Sequence, residues 1–342
     1  MLKILIISPG QKGIGGIAQH VNGLSKFLKK TGHEVDIISS ENTFILPIRR
    51  LKNPSFMVSA FFKTKLKKNN DIAHAVNLPS ALPMKNASGK KVLTLTGINP
   101  EQVELLHGKT AGRLTRNFEK HALGWADALT GLSKVMCDHY AKLGFKVHHI
   151  PNAVDFASLS RGKDKRYEKQ IIFAARLSRE KGILDVLEMS EKLPSDIHLI
   201  IAGSGPEEEK VKEVCKRKEN LHFLGYQTKE KTVELVRGSD ILIQPSVFEG
   251  GLSSTLLESM YCKTPIVSSN IDVNKEMLRH METAHLVNPQ SPTEILDAIL
   301  ELLSNKEKRT ILTENAYKVA HNYDWAVVGK LYLDLYSKLC SS

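Results

Sequence analysis

The chain has 342 residues, of which 42% are hydrophobic and 25% are charged, and its formal net charge is +11. This length suffices for two domains that each bury a core, and the composition excludes a disordered or low-complexity chain. No apolar run approaches the roughly 18 to 20 residues of a membrane-spanning helix, and the run at residues 2–7 is too short for a signal sequence. The four dispersed cysteines argue against a disulfide framework or a zinc site, so we predict a cytoplasmic protein.

Short apolar runs alternate with helical segments through the first half of the chain. In the helical segment after the first run, apolar residues recur at i, i+4, i+7 and i+11 from Ile17 to Leu28, and Gly32 ends the helix. This alternation is typical of a parallel sheet with crossover helices, and it predicts a first domain at residues 1–155. The predicted strands are residues 2–8, 34–39, 71–76, 91–96, 128–133 and 147–150.

The alternation restarts after a polar, charge-rich stretch that we take as a linker, near residues 152–168. It predicts a second Rossmann-like domain at residues 166–325 with its own sheet. The predicted strands are residues 170–176, 198–203, 221–225, 241–246, 265–270 and 285–287. A last helix at residues 326–342 shows an apolar face that must pack on another element, formed by Val327, Leu331, Leu335 and Leu339.

Glycine-rich turns follow several of these strands. The turn at residues 10–16, which includes Gly15 and Gly16, leads into the first helix, where free backbone amides favour an anion such as a phosphate. Its spacing does not match the dinucleotide fingerprint, and a plain flexible turn is the alternative. A second turn of this kind, Gly203, Ser204 and Gly205, allows the backbone to approach a ligand closely. Near the start of the second domain, Arg176 and Lys181 follow one strand and can clamp a pyrophosphate.

The most informative stretch is residues 244–258, where a strand end precedes an acid, two glycines and small hydroxyl residues. Glu249 can hydrogen-bond the hydroxyls of a sugar, and Glu258 can accept both hydroxyls of a ribose. Amides between the two acids can receive a phosphate, at Gly250, Gly251, Leu252, Ser253 and Ser254. The alternative makes Glu249 a turn residue and Glu258 an exposed residue of a helix.

Taken together, these motifs resemble the family 4 glycosyltransferases of the GT-B fold. The similar elements occur in the family's order and cover nearly the whole chain. They are Gly15-Gly16 with residues 32–35, residues 150–155, residues 175–177 with 180–182, residues 202–206, residues 223–225, and residues 249–258. The resemblance implies an α/β structure of two Rossmann-like domains that face a central cleft, with a C-terminal helix that crosses back to the first domain.

The resemblance also implies the reaction and the roles of the site residues. A hexosyl group would pass from a UDP- or GDP-sugar to a glycan or lipid-linked acceptor with retention of configuration, without a metal or another cofactor. Arg176 and Lys181 would bind the diphosphate, Glu258 the ribose and Glu249 the transferred sugar. Gly16 would approach the phosphates from the facing domain. The nucleotide base would be read largely through backbone contacts around residues 203–205 and Leu224.

Two departures from the family pattern concern the reacting sugar. The paired acids Glu249 and Glu258 stand nine residues apart, whereas the family usually has eight. The family often carries a histidine just after the fourth strand of the first domain, where this chain has Thr96. His20, one turn into the first helix, is the nearest candidate to replace it as a catalytic residue. The alternative is that His20 is an ordinary exposed helix residue.

A basic amphipathic segment suggests the acceptor side. Residues 1–155 carry 22 Lys and Arg against 10 Asp and Glu, whereas the remainder has 26 against 27, so the first domain favours an anionic partner. Within it, the aromatic and aliphatic residues of 56–66 are interleaved with cations, which are Arg49, Arg50, Lys52, Lys63, Lys65, Lys67 and Lys68. We hypothesise that this segment rests peripherally on an anionic membrane. The alternative is a core-facing helix with a solvated lysine face.

Two other functions are consistent with parts of this pattern. A nucleotide-sugar epimerase of the same fold would use carboxylates at the anomeric centre without an acceptor. A nucleic-acid-binding protein would use the basic first half, although the chain has no recognisable nucleic-acid-binding motif, and we expect no nucleic-acid partner.

Overall fold

A computed structural model describes residues 1–11, 15–48, 51–98 and 108–341. The chain divides into two compact units, unit 1 at Met1–Val154 with Trp325–Ser342 and unit 2 at Asp155–Asp324. Within the described residues, each unit is built on a sheet of six parallel strands with flanking helices, and the predicted fold class is confirmed. Both cores are formed by strands whose side chains are buried on the two faces of the sheet, as the continuous apolar runs predicted.

Unit 1 has the strand order β2-β1-β3-β4-β5-β6. The strands are β1 (Lys3–Ser8), β2 (Glu34–Ser39), β3 (Ile72–Val76), β4 (Lys90–Leu95), β5 (Ala128–Gly131) and β6 (Val147–His149). The helices described before the chain enters unit 2 are α1 (Gly16–Lys30), α2 (Lys52–Thr64), α3 (Ala81–Lys85), α4 (Lys109–Leu123) and α5 (Lys134–Lys142). Each of the six strands lies within two residues of its predicted bounds, and the largest difference is at β5, which ends two residues early.

Unit 2 has the strand order β12-β11-β10-β7-β8-β9. The strands are β7 (Lys169–Ala174), β8 (Ile197–Ala202), β9 (Leu221–Gly225), β10 (Ile241–Gln244), β11 (Ile266–Ser269) and β12 (His285–Val287). The helices are α6 (Ile183–Ser190), α7 (Glu208–Cys215), α8 (Lys229–Gly238), α9 (Ser254–Cys262), α10 (Asp272–Lys275), α11 (Pro292–Ser304) and α12 (Lys306–Ala320). The order reverses at β7, which pairs with β8 on one side and with β10 on the other.

The last helix, α13 (Trp325–Ser341), belongs to unit 1 and packs on α1. Two glycines allow this close approach, because a Cβ on Gly23 would overlap the indole of Trp325 and a Cβ on Gly329 would overlap the ring of Phe27. The backbone amide of Trp325 donates to the carbonyl of Val154 at 3.2 Å. The first residue of α13 therefore lies beside the last residue of the N-terminal part of unit 1.

The buried face of α13 matches the predicted one in part, since Leu335 is buried and Leu339 packs against the same core. Val327 and Leu331 are exposed, whereas the helix buries Val328, Tyr332 and Tyr336. The buried stripe is turned by about one residue towards Tyr332 and Tyr336, whose side chains are amphipathic. Their rings fill the core and their hydroxyls reach polar groups there.

Those polar groups form a buried network centred on two histidines. The imidazole of His74 on β3 hydrogen-bonds to the Tyr336 hydroxyl through Nδ1 and to the Thr94 hydroxyl at 2.6 Å through Nε2. The Tyr332 hydroxyl lies 3.4 Å from Nε2 of His20, which is on α1. The network therefore ties α13 to a helix and a strand from the opposite end of the chain.

Candidate functional site

The loops that follow β7 and β10 lie side by side where the strand order of unit 2 reverses. In doubly wound sheets this point, at the carboxyl ends of the strands, is where ligands bind. The loops are packed backbone against backbone: the amide of Val247 donates to the carbonyl of Glu180 at 2.9 Å. Gly182 adopts a left-handed φ of +75°, and a Cβ there would overlap the carbonyl of Pro245. The glycine is thus required for the two loops to meet.

Lys181 and Glu249, one from each loop, form an ion pair with Nζ 2.5 Å from Oε2. The Glu249 side chain is 5% exposed. Its other oxygen, Oε1, accepts hydrogen bonds from the Ser246 hydroxyl at 2.7 Å and from Nε2 of Gln244 at 3.1 Å. Glu249 is therefore not an ordinary turn residue but the centre of a buried network, to which Ser253 adds a bond from its hydroxyl to Oε1 of Gln244 at 3.0 Å.

Arg176 differs from Lys181 in that its side chain is half exposed. Its nearest carboxylate is Glu180, with 3.8 Å between Nη1 and Oε1. An ion pair of this length at the surface is weak because water screens it. The guanidinium at the carboxyl end of β7 is thus accessible to an anionic ligand, and its planar donors suit a phosphate.

Close packing against neighbouring backbone requires glycine at positions 203 and 205, whether or not a ligand binds there. A Cβ on Gly203, at a φ of +150°, would overlap the carbonyl of Ala175, and a Cβ on Gly205 would overlap the backbone of Leu177. The amide of Leu177 donates to the carbonyl of Ser204 at 3.0 Å, which joins the loop after β8 to the loop that carries Arg176. Whether their amides, or those beside the half-buried Leu224, also contact a nucleotide stays a prediction.

The segment between Glu249 and Glu258 consists of a short loop followed by the first turn of α9. Leu252 is buried, Ser253 precedes the helix as its N-cap, and Ser254 is its first residue. Gly250 and Gly251 form the turn. Amides at such a helix start can receive an anion, which stays a prediction for this segment.

Glu258, on α9, is 1% exposed, so the alternative of an exposed helix residue is wrong. The ammonium of Lys229, the first residue of α8, contacts its Oε1. Sequence reasoning did not find Lys229, because nothing in the local pattern distinguishes this lysine from the other charged residues of α8.

In unit 1, Gly15 is the N-cap of α1 and Gly16 its first residue. Both are exposed, and a Cβ at either would meet no atom of the described residues within 4 Å. Thr96 follows β4 directly and is half-buried. The roles predicted for these residues stay predictions.

The structure corrects the prediction for His20. Its side chain is fully buried, against the rings of Trp325 at 5.3 Å and Tyr332 at 5.9 Å between centroids. Burial lowers its pKa to about 4, with a smaller opposite effect from a hydrogen bond to Asn152. A side chain that α13 covers completely is neither a catalytic group in contact with a substrate nor an exposed helix residue. The periodicity of α1 could have indicated this, because His20 lies three residues after Ile17 and four before Leu24, on the same face of the helix.

The basic segment forms α2, of which one face is buried through Phe56, Ala60 and Thr64. The exposed residues on and next to this helix, which we call the outer face of α2, are both apolar and basic, namely Leu51, Val58, Phe62 and Leu66 together with Lys52, Lys65 and Lys68. The predicted Arg49 and Arg50 lie outside the described residues. Among the described residues, no helix has both the length and the apolar content needed to cross a bilayer.

Not every lysine of the segment is available to a partner. Lys63 donates to the carbonyl and the side-chain oxygen of Asn42, and Lys67 forms an ion pair with Asp36 at 2.8 Å. These two cations are partly neutralised or held by unit 1 itself. The positive charge of the outer face therefore rests on the other three lysines.

Comparisons with known proteins bear on both units. Residues 158–319 match the family described as "Glycosyl transferases group 1", and residues 14–158 match "Glycosyltransferase Family 4". Phosphatidyl-myo-inositol mannosyltransferase of Mycobacterium leprae is 24% identical over 96% of this chain and 94% of its own length. An uncharacterized glycosyltransferase of Methanocaldococcus jannaschii is 31% identical over 70% of this chain and 63% of its own length.

Two solved structures show the same fold. Sucrose-phosphate synthase from Thermosynechococcus elongatus has a TM-score of 0.85 and 16% identity, with 99% of each chain covered. Anabaena Alr3699/HepE in complex with UDP-glucose has a TM-score of 0.77 and 16% identity, over 99% of this chain and all of that one. At these identities the likeness concerns the fold.

Proposed function

Since the chain belongs to the family 4 glycosyltransferases and has the GT-B fold, we propose that it is a retaining hexosyltransferase. Its donor is a UDP- or GDP-sugar, and its acceptor is a glycan or a lipid-linked molecule. One observation carries the proposal: the accessible Arg176 and the oriented Lys181 both follow β7, at the reversal of the strand order in unit 2. Two cations at this position suit a diphosphate leaving group.

The proposed chemistry follows from where charge develops. The acceptor oxygen attacks the anomeric carbon as the bond from that carbon to the diphosphate breaks, and a donor phosphate oxygen takes the acceptor proton. The leaving diphosphate gains negative charge, which Arg176, Lys181 and backbone amides stabilise in the transition state. No protein base is required, which agrees with the burial of His20.

Glu249 has a different part in this proposal from the one that the resemblance implies. Both of its oxygens are engaged by Lys181, Gln244 and Ser246. These bonds occupy three of the roughly four acceptor sites of the carboxylate and hold its orientation. Its part is to hold the Lys181 ammonium in place, and the extra residue between the acids is consistent with a displaced carboxylate.

The donor specificity can be tested by thermal unfolding against a panel of nucleotide sugars. We expect one UDP- or GDP-sugar to stabilise the protein by about 2.7 kcal/mol at 100 times its dissociation constant, or several degrees in Tm. Incubation of that donor with candidate acceptors should then give a product whose anomeric configuration, read by NMR, equals that of the donor.

A panel without any stabilising nucleotide sugar would contradict the donor site. An inverted product would contradict retention. Donor incubated without acceptor serves as the control, since formation of an epimer would favour the epimerase instead.

The lipid-linked acceptor and membrane contact are supported by the outer face of α2. Val58 and Phe62 are both more than half exposed, and the Lys65 ammonium lies 5.6 Å from the Phe61 ring centroid and 6.0 Å from that of Phe62. Apolar side chains flanked by cations suit the boundary between head groups and acyl chains of an anionic leaflet. The name of the mycobacterial relative also refers to a lipid acceptor.

We expect the protein to float with anionic vesicles at low salt and to be released at high salt. Each surface lysine contributes about 1 kcal/mol to such binding, so Lys65→Gln with Lys68→Gln should weaken it about 30-fold. Phe62→Ser should weaken binding at both salt concentrations, whereas Ile311→Ser, at an exposed apolar residue of unit 2, is the matched control. Equal flotation of all variants, or none for the wild type, would contradict the membrane contact.

A further inference from the structure

A second lysine pairs with a buried carboxylate in unit 2, away from the Lys181–Glu249 pair. Lys229 begins α8, directly after the N-cap Thr228, whose side chain accepts from the amide of Lys231 at 3.2 Å. Its ammonium contacts Oε1 of Glu258 on α9, while the lysine side chain is 32% exposed and the glutamate side chain 2%. The ion pair thus joins the loop after β9 to the helix after β10.

The ion pair with Lys229 offsets the cost of burying the carboxylate of Glu258. An ionised carboxylate without a partner is costly in a protein interior, and such a group takes up a proton instead. A cation in contact with one oxygen stabilises the ionised form, although removal of that cation leaves an uncompensated buried charge. The charge state of Glu258 therefore depends on Lys229.

The geometry also restrains the carboxylate. Contact of the ammonium with Oε1 restrains the rotation of the group about its last side-chain bond. A carboxylate that accepts hydrogen bonds from two neighbouring hydroxyls must be ionised, so that it is acceptor-only, and must present its oxygens in a fixed plane. Lys229 provides both conditions.

We propose that Lys229 is a positioning residue of the donor site, which keeps Glu258 ionised and oriented to accept the ribose hydroxyls of the nucleotide. This inference rests on the proposed function, since it assumes that the ligand of unit 2 is a nucleotide. It assigns a role in recognition of the ribose to a residue of α8.

The proposal has a pH signature that a merely structural contact would lack. Burial lowers the pKa of Lys229 to about 7, against a smaller opposite effect from the neighbouring Cys262. Glu258 on α9 favours the charged ammonium, and Arg237 on α8 acts on Cys262. With a pKa of about 7, the ammonium of Lys229 loses its charge as the pH rises through that value, so donor affinity should fall between about pH 6 and pH 8.

Calorimetric titration with a nucleoside diphosphate and its 2′-deoxy counterpart tests the proposal, in the UDP and the GDP series. We expect the wild-type chain to bind the ribonucleotide about 10 times more tightly, since one hydrogen bond to a charged group is at stake. Lys229→Met should weaken ribonucleotide binding by about 10-fold or more and bring the two affinities within about threefold of each other. Lys229→Arg should restore the discrimination and make it independent of pH over the same window.

Lys231→Met is the matched control, because this lysine lies on the same helix but pairs with Asp164 and Glu234. If Lys229→Met does not fold, the proposal is tested by two other measurements. These are the ribose discrimination of Lys229→Arg and the pH dependence of the wild-type affinity. A Met variant that binds more tightly, or retains the wild-type discrimination, overturns the inference while the proposed function stands. A wild-type chain that binds no nucleotide in either series overturns both.

Discussion

Replacement of Arg176 with alanine is expected to lower kcat/KM for glycosyl transfer by about 100- to 1,000-fold, the usual effect of removing one donor from a charge-stabilising site. The guanidinium stands at the carboxyl end of β7, and among the described residues its ion-pair partner is Glu180, at 3.8 Å. Its loss should therefore act on the ligand and leave the fold intact. Initial rates with a saturating acceptor and varied donor would measure the effect.

Arg179→Ala is the matched control. This arginine lies three residues further along the same loop, is 79% exposed and pairs with Glu207 at the surface. Its replacement should change kcat/KM by less than about twofold. Equal activity of the Arg176 and Arg179 variants would contradict the assignment of Arg176 to the diphosphate. Lys181 is a less clean test, because its removal also leaves the buried Glu249 without a cation.

The free energy of unfolding of unit 1 is expected to fall by about 4 kcal/mol between pH 7.5 and pH 5, through two histidines. Burial lowers the pKa of His20 to about 4 and that of His74 to about 3, whereas both are near 6.5 in the unfolded chain. The unfolded state therefore binds more protons below pH 6.5, and acid favours it. At pH 5, about 1.5 pH units below the unfolded value, each histidine contributes about 2 kcal/mol to the loss.

Urea unfolding at a series of pH values would measure this dependence. The two tryptophans of the chain, Trp125 and Trp325, are both in unit 1, so their fluorescence reports on that unit. His74→Gln should reduce the loss between the two pH values by about half, whereas His121→Gln, at an exposed position of α4, should not change it. A His74 variant with the wild-type pH dependence would contradict the argument.

Local patterns in the sequence predicted the fold well. Strand β2 has the predicted bounds, and β7 and β8 lie within two residues of theirs, because a strand of a parallel sheet is a short apolar run between turns. The loops after β7 and β10 were also predicted as the site, from the motifs at residues 176–181 and 244–258 and from their resemblance to the family.

What the sequence did not reveal depends on contacts between distant segments. Lys181 meets Glu249 68 residues further along the chain, and Tyr332 meets His20 at a separation of 312 residues. No periodicity within one element encodes such pairs. The burial of His20 and the rotated face of α13 have the same origin, because side chains from the two chain ends fill one core together.

The insertion of unit 2 between Val154 and Trp325 has a consequence for biosynthesis. The ribosome completes all of unit 2 before it makes the 17 residues of α13, so the domain that begins first is finished last. Until then, His20 and His74 lack the tyrosines that cover them, and nascent unit 1 exposes an apolar groove along α1. A chain cut short by its last few turns would thus release a complete second domain attached to an unfinished first one, the form that a cell's chaperones and proteases recognise.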